Sequence, residues 1–259
     1  MLLSIRVLCL LFPLLLVSGK ASSKPPAKAA AVLSNPPVIV IGFVGGFVHH
    51  DDRVHTEVQL AEHLREEYAS GIFVQTFENH RGKDARKAVL HLLDANRDGI
   101  ISPEEKRNAR IIIFGHSWGA SETVELAREL QKDGVPVLLT IQVDSVSKRG
   151  EDDAVIPANV AQAINFYQLD GMLHGLSQIR AADPARTRIL GNFRSDYKSK
   201  PLTCGSYPWW DRVFMKPHIQ IECDPAVWKQ VETLIRSNLS LEAQLPSPAE
   251  TNSPASPLN

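Results

Sequence analysis

The sequence predicts an α/β protein built on a mostly parallel sheet with helices on both faces. Two observations carry this. Short apolar, β-branched runs alternate with amphipathic stretches along the middle of the chain, and the clearest of these runs are continuous, as in strands buried on both faces. No internal repeat points to another architecture.

The elements follow in order. Val38-Ile39-Val40-Ile41, bounded by Pro36-Pro37 and Gly42, reads as a buried strand. Thr56 to Tyr68 sets Val58, Leu60, Ala61, Leu64 and Tyr68 at helical spacing with charges between them. Ile72 to Phe77 is again apolar, Asp84 to Leu93 is helical, and Arg110-Ile111-Ile112-Ile113-Phe114 is a second buried strand. Ala120 to Lys132 is an amphipathic helix and Val135 to Val143 a further strand. Beyond that the pattern weakens: Pro157 to Tyr167 reads as a helix, Thr187 to Leu190 as a strand, and Pro225 to Ile235 as the last helix.

The chain has 259 residues, 44% hydrophobic and 22% charged, a globular balance. Residues 1–21 carry one early charge, Arg6, then the apolar run Val7 to Val17 and small residues, the order of a secretory signal too short to span a bilayer. Residues 22–35 form a linker, 36–240 one domain, and 241–259 a Pro/Ser-rich tail expected to be disordered. A secreted or periplasmic location follows as an expectation, with no membrane span after signal removal. Lys plus Arg total 28 against 29 Asp plus Glu, so no basic surplus exists to neutralise a phosphate backbone, and nucleic acid is excluded as a partner. Of three cysteines, Cys9 leaves with the signal, and an exported chain is expected to bridge Cys204 and Cys223 around His218.

Directly after the Arg110 to Phe114 strand comes Gly115-His116-Ser117-Trp118-Gly119, followed by a helix. This is G-x-S-x-G in the strand-to-helix context that holds a serine on a tight, strained bend. A serine needs a base, and the base an orienting acid. Among nine histidines, His218 precedes a terminal helix where a last loop presents an imidazole, whereas His116 is too close along the chain to reach back to Ser117. Asp144 ends the Val135 to Val143 strand at the carboxyl edge, where α/β sheets collect their chemistry; Asp170, Asp183 and Asp196 compete from later loops.

In these residues the chain resembles the α/β-hydrolase superfamily from Val38 to about Ile235. Ser117, Asp144 and His218 reproduce that family's chain order of nucleophile, acid and base. The resemblance implies an α/β-hydrolase fold, in reduced form because only one or two other strands precede the serine. It also implies an oxyanion hole made by the N–H of Trp118 and a second N–H from Gly42-Phe43-Val44-Gly45-Gly46-Phe47, donated by Phe43 or Val44. An Ile41-Gly42 pair stands where the family usually has histidine-glycine.

A second motif spans Asp94 to Glu105, DANRDGIISPEE, which matches D-x-[DN]-x-[DN]-G-x₅-E and resembles an EF-hand calcium loop. The resemblance implies side-chain oxygens from Asp94, Asn96 and Asp98, the Ile100 carbonyl, an oxygen from Ser102, a bidentate Glu105, and a turn at Gly99. The exiting helix is cut short by the strand at Arg110, so calcium is expected to act structurally. His49-His50-Asp51-Asp52 lacks ordered ligand spacing, and adjacent loop histidines do not readily face one ion.

The expectation is a secreted serine hydrolase acting on a carboxylic ester or thioester, small-molecule or lipid, with structural calcium and no organic cofactor. Phe43, Phe47, Trp118, Trp209 and Trp210 are candidates to line an apolar cleft. The alternatives are an amidase or peptidase, and a non-catalytic calcium-binding or scaffold protein on the same fold.

Overall fold

Odd and even residues of the central strands point to opposite faces of one sheet, and each face is covered. In the computed structural model, which describes residues 38–68 and 70–240, the order is β1 (Val38–Val44), α1 (Thr56–Glu67), β2 (Ile72–Glu78), α2 (Gly82–Leu93), α3 (Pro103–Arg107), β3 (Ile111–His116), α4 (Trp118–Lys132), β4 (Val137–Val143), β5 (Val155–Ile156), β6 (Val160–Gln168), β7 (Arg180–Ala181), β8 (Arg188–Ser195), α5 (Trp209–Phe214), α6 (Lys216–Glu222) and α7 (Pro225–Ser240). The expected signal, linker and tail lie outside the described residues. No described helix is long and apolar enough to cross a membrane.

Six strands form the main sheet in the order β2-β1-β3-β4-β6-β8, every pair parallel. The expected class is therefore what the chain adopts, with two strands before the serine strand. On one face Ile39, Ile41, Phe43, Ile111 and Ile113 pack against Ala85, Val89 and Leu93 of α2 and Val124, Ala127 and Leu130 of α4. On the other, Val38, Val40, Ile112, Phe114, Leu139 and Ile141 meet Leu60, Ala61 and Leu64 of α1 and Val227, Trp228, Val231 and Ile235 of α7.

The segment Pro157 to Tyr167, expected to be a helix, is mostly strand β6. It sits between β4 and β8, and burial on both faces removes the alternation that would mark a strand, leaving an Ala-containing run that also fits helical spacing. Its polar Asn165 is accommodated by hydrogen bonds to the Leu176 carbonyl at 2.8 Å and Asn192 Oδ1 at 3.2 Å.

Candidate active site

β3 feeds the chain into a reversal at Ser117, whose φ of 58° and ψ of −125° form a backbone geometry that non-glycine residues rarely adopt. The surroundings hold it there. The Ser117 N–H donates to the Val143 carbonyl at 3.0 Å, while the Ser117 carbonyl accepts from Ala120 N at 3.0 Å and Val146 N at 3.2 Å. Both motif glycines are sterically required: a Cβ on Gly115 would overlap the Gly119 main chain, and one on Gly119 would overlap the carbonyls of Phe43 and Val44.

Asp144 follows β4 at a φ of 46°, its N–H donating to the Phe166 carbonyl at 2.7 Å. Its carboxylate is fully buried and richly bonded. Oδ1 accepts from Gly175 N at 2.7 Å and Gln168 N at 3.2 Å, and Oδ2 accepts from Gln168 Nε2 at 2.8 Å. Oδ2 also lies 2.7 Å from His218 Nδ1, and His218 Nε2 lies 2.9 Å from Ser117 Oγ. A carboxylate at Nδ1 keeps the proton there and turns the Nε2 lone pair toward the serine hydroxyl.

Ser117, Asp144 and His218 thus meet in one hydrogen-bonded chain. The competing aspartates are engaged elsewhere: Asp170 with Tyr197 N and Arg194, Asp183 with Ala185 N, Asp196 with Ser199. His218 sits within helix α6 and not on a loop, a correction explained by what anchors it. The Cys204–Cys223 disulfide, with Cα atoms 5.9 Å apart, ties the end of α6 to the preceding segment, and Cys204, Tyr207 and Ile219 pack together beneath it. Sequence reasoning missed Gln168 and Gly175. Gln168 ends the strand misread as helix, and nothing local marks Gly175, although a Cβ there would overlap the Asp144 main chain.

Trp118 is the first residue of α4, so its N–H has no helical acceptor. Beside it, the end of β1 packs on the elbow, with a Cβ on Gly45 falling 3.0 Å from Ser117 Cβ. At its end β1 is flanked on both sides, Phe43 pairing with Gly115 of β3 and Val44 with Glu78 of β2. The Phe43 ring is fully buried in the core against Phe77, so it does not line a cleft. Phe47 is exposed and meets Trp118 edge to face at 5.5 Å, while Trp209, Trp210, Val213 and Phe214 are exposed on α5, just before α6.

The Asp94 to Glu105 loop runs from α2 to the five-residue α3 and turns at Arg97 (φ 59°) and Gly99 (φ 81°). Asp94 Oδ2 accepts from Gly99 N at 2.9 Å, Asp98 Oδ1 from Ile100 N at 2.8 Å, and Asn96 Oδ1 from Asp98 N at 3.0 Å. Glu105 reaches back to Ala95 N at 2.9 Å and closes a capping box with Ser102. Each of these oxygens is held by a main-chain N–H.

The turn at His49 and His50 differs from expectation. Both rings approach one carboxylate oxygen, Glu78 Oε1, at 3.6 and 2.8 Å, because the tight turn brings the rings to 4.4 Å. His116, in turn, points away from Ser117 into a buried group with His55, Glu57 and Glu222 that the sequence did not reveal. Burial holds the His116 imidazole down to about 4, so it is neutral there.

No protein-family model and no curated protein matches the chain. Solved structures similar to it include an esterase from Pseudomonas putida (12% identity, 83% of this chain and 77% of that one, TM-score 0.41). Human thioesterase 2 aligns at 9% identity over 80% of this chain and 98% of that one, with a TM-score of 0.41. A thioesterase of the prodiginine biosynthetic pathway of Streptomyces coelicolor aligns at 13% identity over 85% and 100%, with a TM-score of 0.36.

Proposed function

We propose that the chain is a serine hydrolase of carboxylic esters or thioesters, working through Ser117, His218 and Asp144. The observation that carries this reading is the unbroken hydrogen-bonded path from Asp144 Oδ2 through His218 to Ser117 Oγ, at 2.7 and 2.9 Å, on a strained elbow. Ser117 Oγ attacks the acyl carbonyl while His218 Nε2 takes the hydroxyl proton. Asp144 stabilises the imidazolium that forms. The oxyanion is held by the Trp118 N–H and a second N–H from the glycine-rich segment Gly42 to Phe47. On collapse His218 returns the proton to the departing alkoxide or thiolate, leaving an acyl group on Ser117. Water, deprotonated by His218, then releases the acid.

The exposed aromatic residues Phe47, Trp209 and Trp210, with Trp118 against Phe47, favour an acyl substrate with an apolar chain. Calcium held by Asp94, Asn96, Asp98, Ile100, Ser102 and Glu105 would brace the link between α2 and β3 and take no part in the reaction. The Cys204–Cys223 bridge accords with an exported protein. Active-site labelling by a serine-reactive phosphonate tests the reading: wild type takes one label, and Ser117→Ala takes none.

A further inference from the structure

Behind the elbow, four metal-ligating side chains face one another in the interior. His55 precedes α1, Glu57 lies in its first turn, His116 is the residue before Ser117, and Glu222 ends α6. Glu57 is fully buried, Glu222 is 2% and His116 3% exposed. His55 Nδ1 lies 2.5 Å from Glu222 Oε1, and His116 Nδ1 lies 3.3 Å from Glu222 Oε2 and 3.9 Å from Glu57 Oε1. One donor atom each from His55, Glu57 and Glu222 falls within 4.8 Å of the others.

The independent sign of a ligand is Glu57. Both of its carboxyl oxygens are buried without a closed hydrogen bond; the main-chain N–H groups of Gly45 and Glu57 and the carboxyl of Glu222 lie nearest. The carboxyl groups of Glu57 and Glu222 face each other, with the imidazoles of His55 and His116 and the Tyr207 hydroxyl around them. An unpaired buried carboxylate is costly, and a cation between the two removes the cost. Four ligands at about 2.0–2.1 Å from a tetrahedral centre stand about 3.3 Å apart, and the ion-pair distances here, 2.5, 3.3 and 3.9 Å, bracket that value.

We propose that His55, Glu57, His116 and Glu222 form a structural zinc site, with one ion bound by two imidazoles and two carboxylates behind the Ser117 elbow. Mixed nitrogen and oxygen donors in a closed, four-ligand set favour zinc over calcium or magnesium, which take more oxygens. The ion would join α1, the elbow and α6 at one point. Thr56 Oγ already donates to the Glu222 carbonyl at 2.7 Å, and Glu222 adjoins the bridged Cys223, so the ligands are positioned by neighbours outside the site. The His116 ring lies 4.5 Å from that of His218, which makes the site a support for the base's position.

The test is metal content of the full chain, measured by mass spectrometry after expression in zinc-supplemented medium and dialysis against a chelator. About one zinc per chain is expected in wild type and in Ser117→Ala, and under about a tenth of that in Glu57→Gln and in His55→Gln. Unfolding in chelator and refolding with cobalt should give the visible absorption of a four-coordinate ion. Neither zinc in the wild-type chain nor cobalt absorption on refolding, or calcium alone, would overturn the site and leave Glu57 and Glu222 as a carboxyl pair sharing a proton. The metal content of wild type decides the matter even if a variant misfolds, and the Ser117→Ala arm keeps it separate from the hydrolase reading.

Discussion

Replacing Asp144 with Asn is the sharpest probe of how the proposed base is set. Asp144 accepts from Gly175 N and Gln168 N on Oδ1, and from Gln168 Nε2 on Oδ2, beside His218 Nδ1. An asparagine keeps its oxygen toward the two main-chain donors, so its NH₂ replaces Oδ2. That group donates to His218 Nδ1 and drives the imidazole proton onto Nε2, facing Ser117 Oγ. The serine then has no base. The rate of ester hydrolysis should fall about 10⁴-fold, about 5 kcal/mol of barrier. Gln168 Nε2 is left opposing another donor, at a cost of about 1–3 kcal/mol, which lowers the thermal midpoint by several degrees without unfolding the chain. The assay is initial rate on a short-chain p-nitrophenyl ester, with circular dichroism to check folding. A folded Asp144→Asn within tenfold of wild type would refute this role for Asp144.

Gln168→Ala leaves the Asp144–His218 contact but removes one donor to the carboxylate, so activity should drop about tenfold, read as kcat at constant KM. Gly119→Ala forces a methyl into the Phe43 carbonyl and should destabilise by about 1–3 kcal/mol in a denaturant titration. Reduction of Cys204–Cys223 should remove about 3 kcal/mol on the same titration, with the loss of activity preceding global unfolding because His218 lies inside the bridged segment. Glu78 is partly stripped of water, which acts to raise its carboxyl, but hydrogen bonds led by that from His50 outweigh this and hold it down to about 2. A depressed acid stabilises the fold above its unfolded value near 4.5 and loses that contribution as pH falls toward about 2; in His50→Ala the midpoint should therefore fall less steeply between those pH values.

The parallel sheet was legible because its central strands, such as Ile111 to Phe114, are continuous and β-branched, and the serine because two glycines flank it between strand and helix. Asp144 was legible by its place at a strand end. β6 was not, since its two buried faces and its Ala161, Asn165 and Gln162 mimic a helix face. The helical setting of His218 was hidden by Pro217 and the short length of α6. Gln168 and Gly175 meet Asp144 only through the fold, 24 and 31 residues along the chain, and Glu57 meets Glu222 across most of it. Such contacts leave no local pattern.

The central claim is that Ser117 is a nucleophile activated by His218. Incubation with a fluorophosphonate and tryptic mass spectrometry measures this directly. One adduct is expected, on Ser117, forming at least about 10³-fold faster in wild type than in His218→Ala. Absence of an adduct on the folded wild-type chain, or equal labelling of the two proteins, would contradict it.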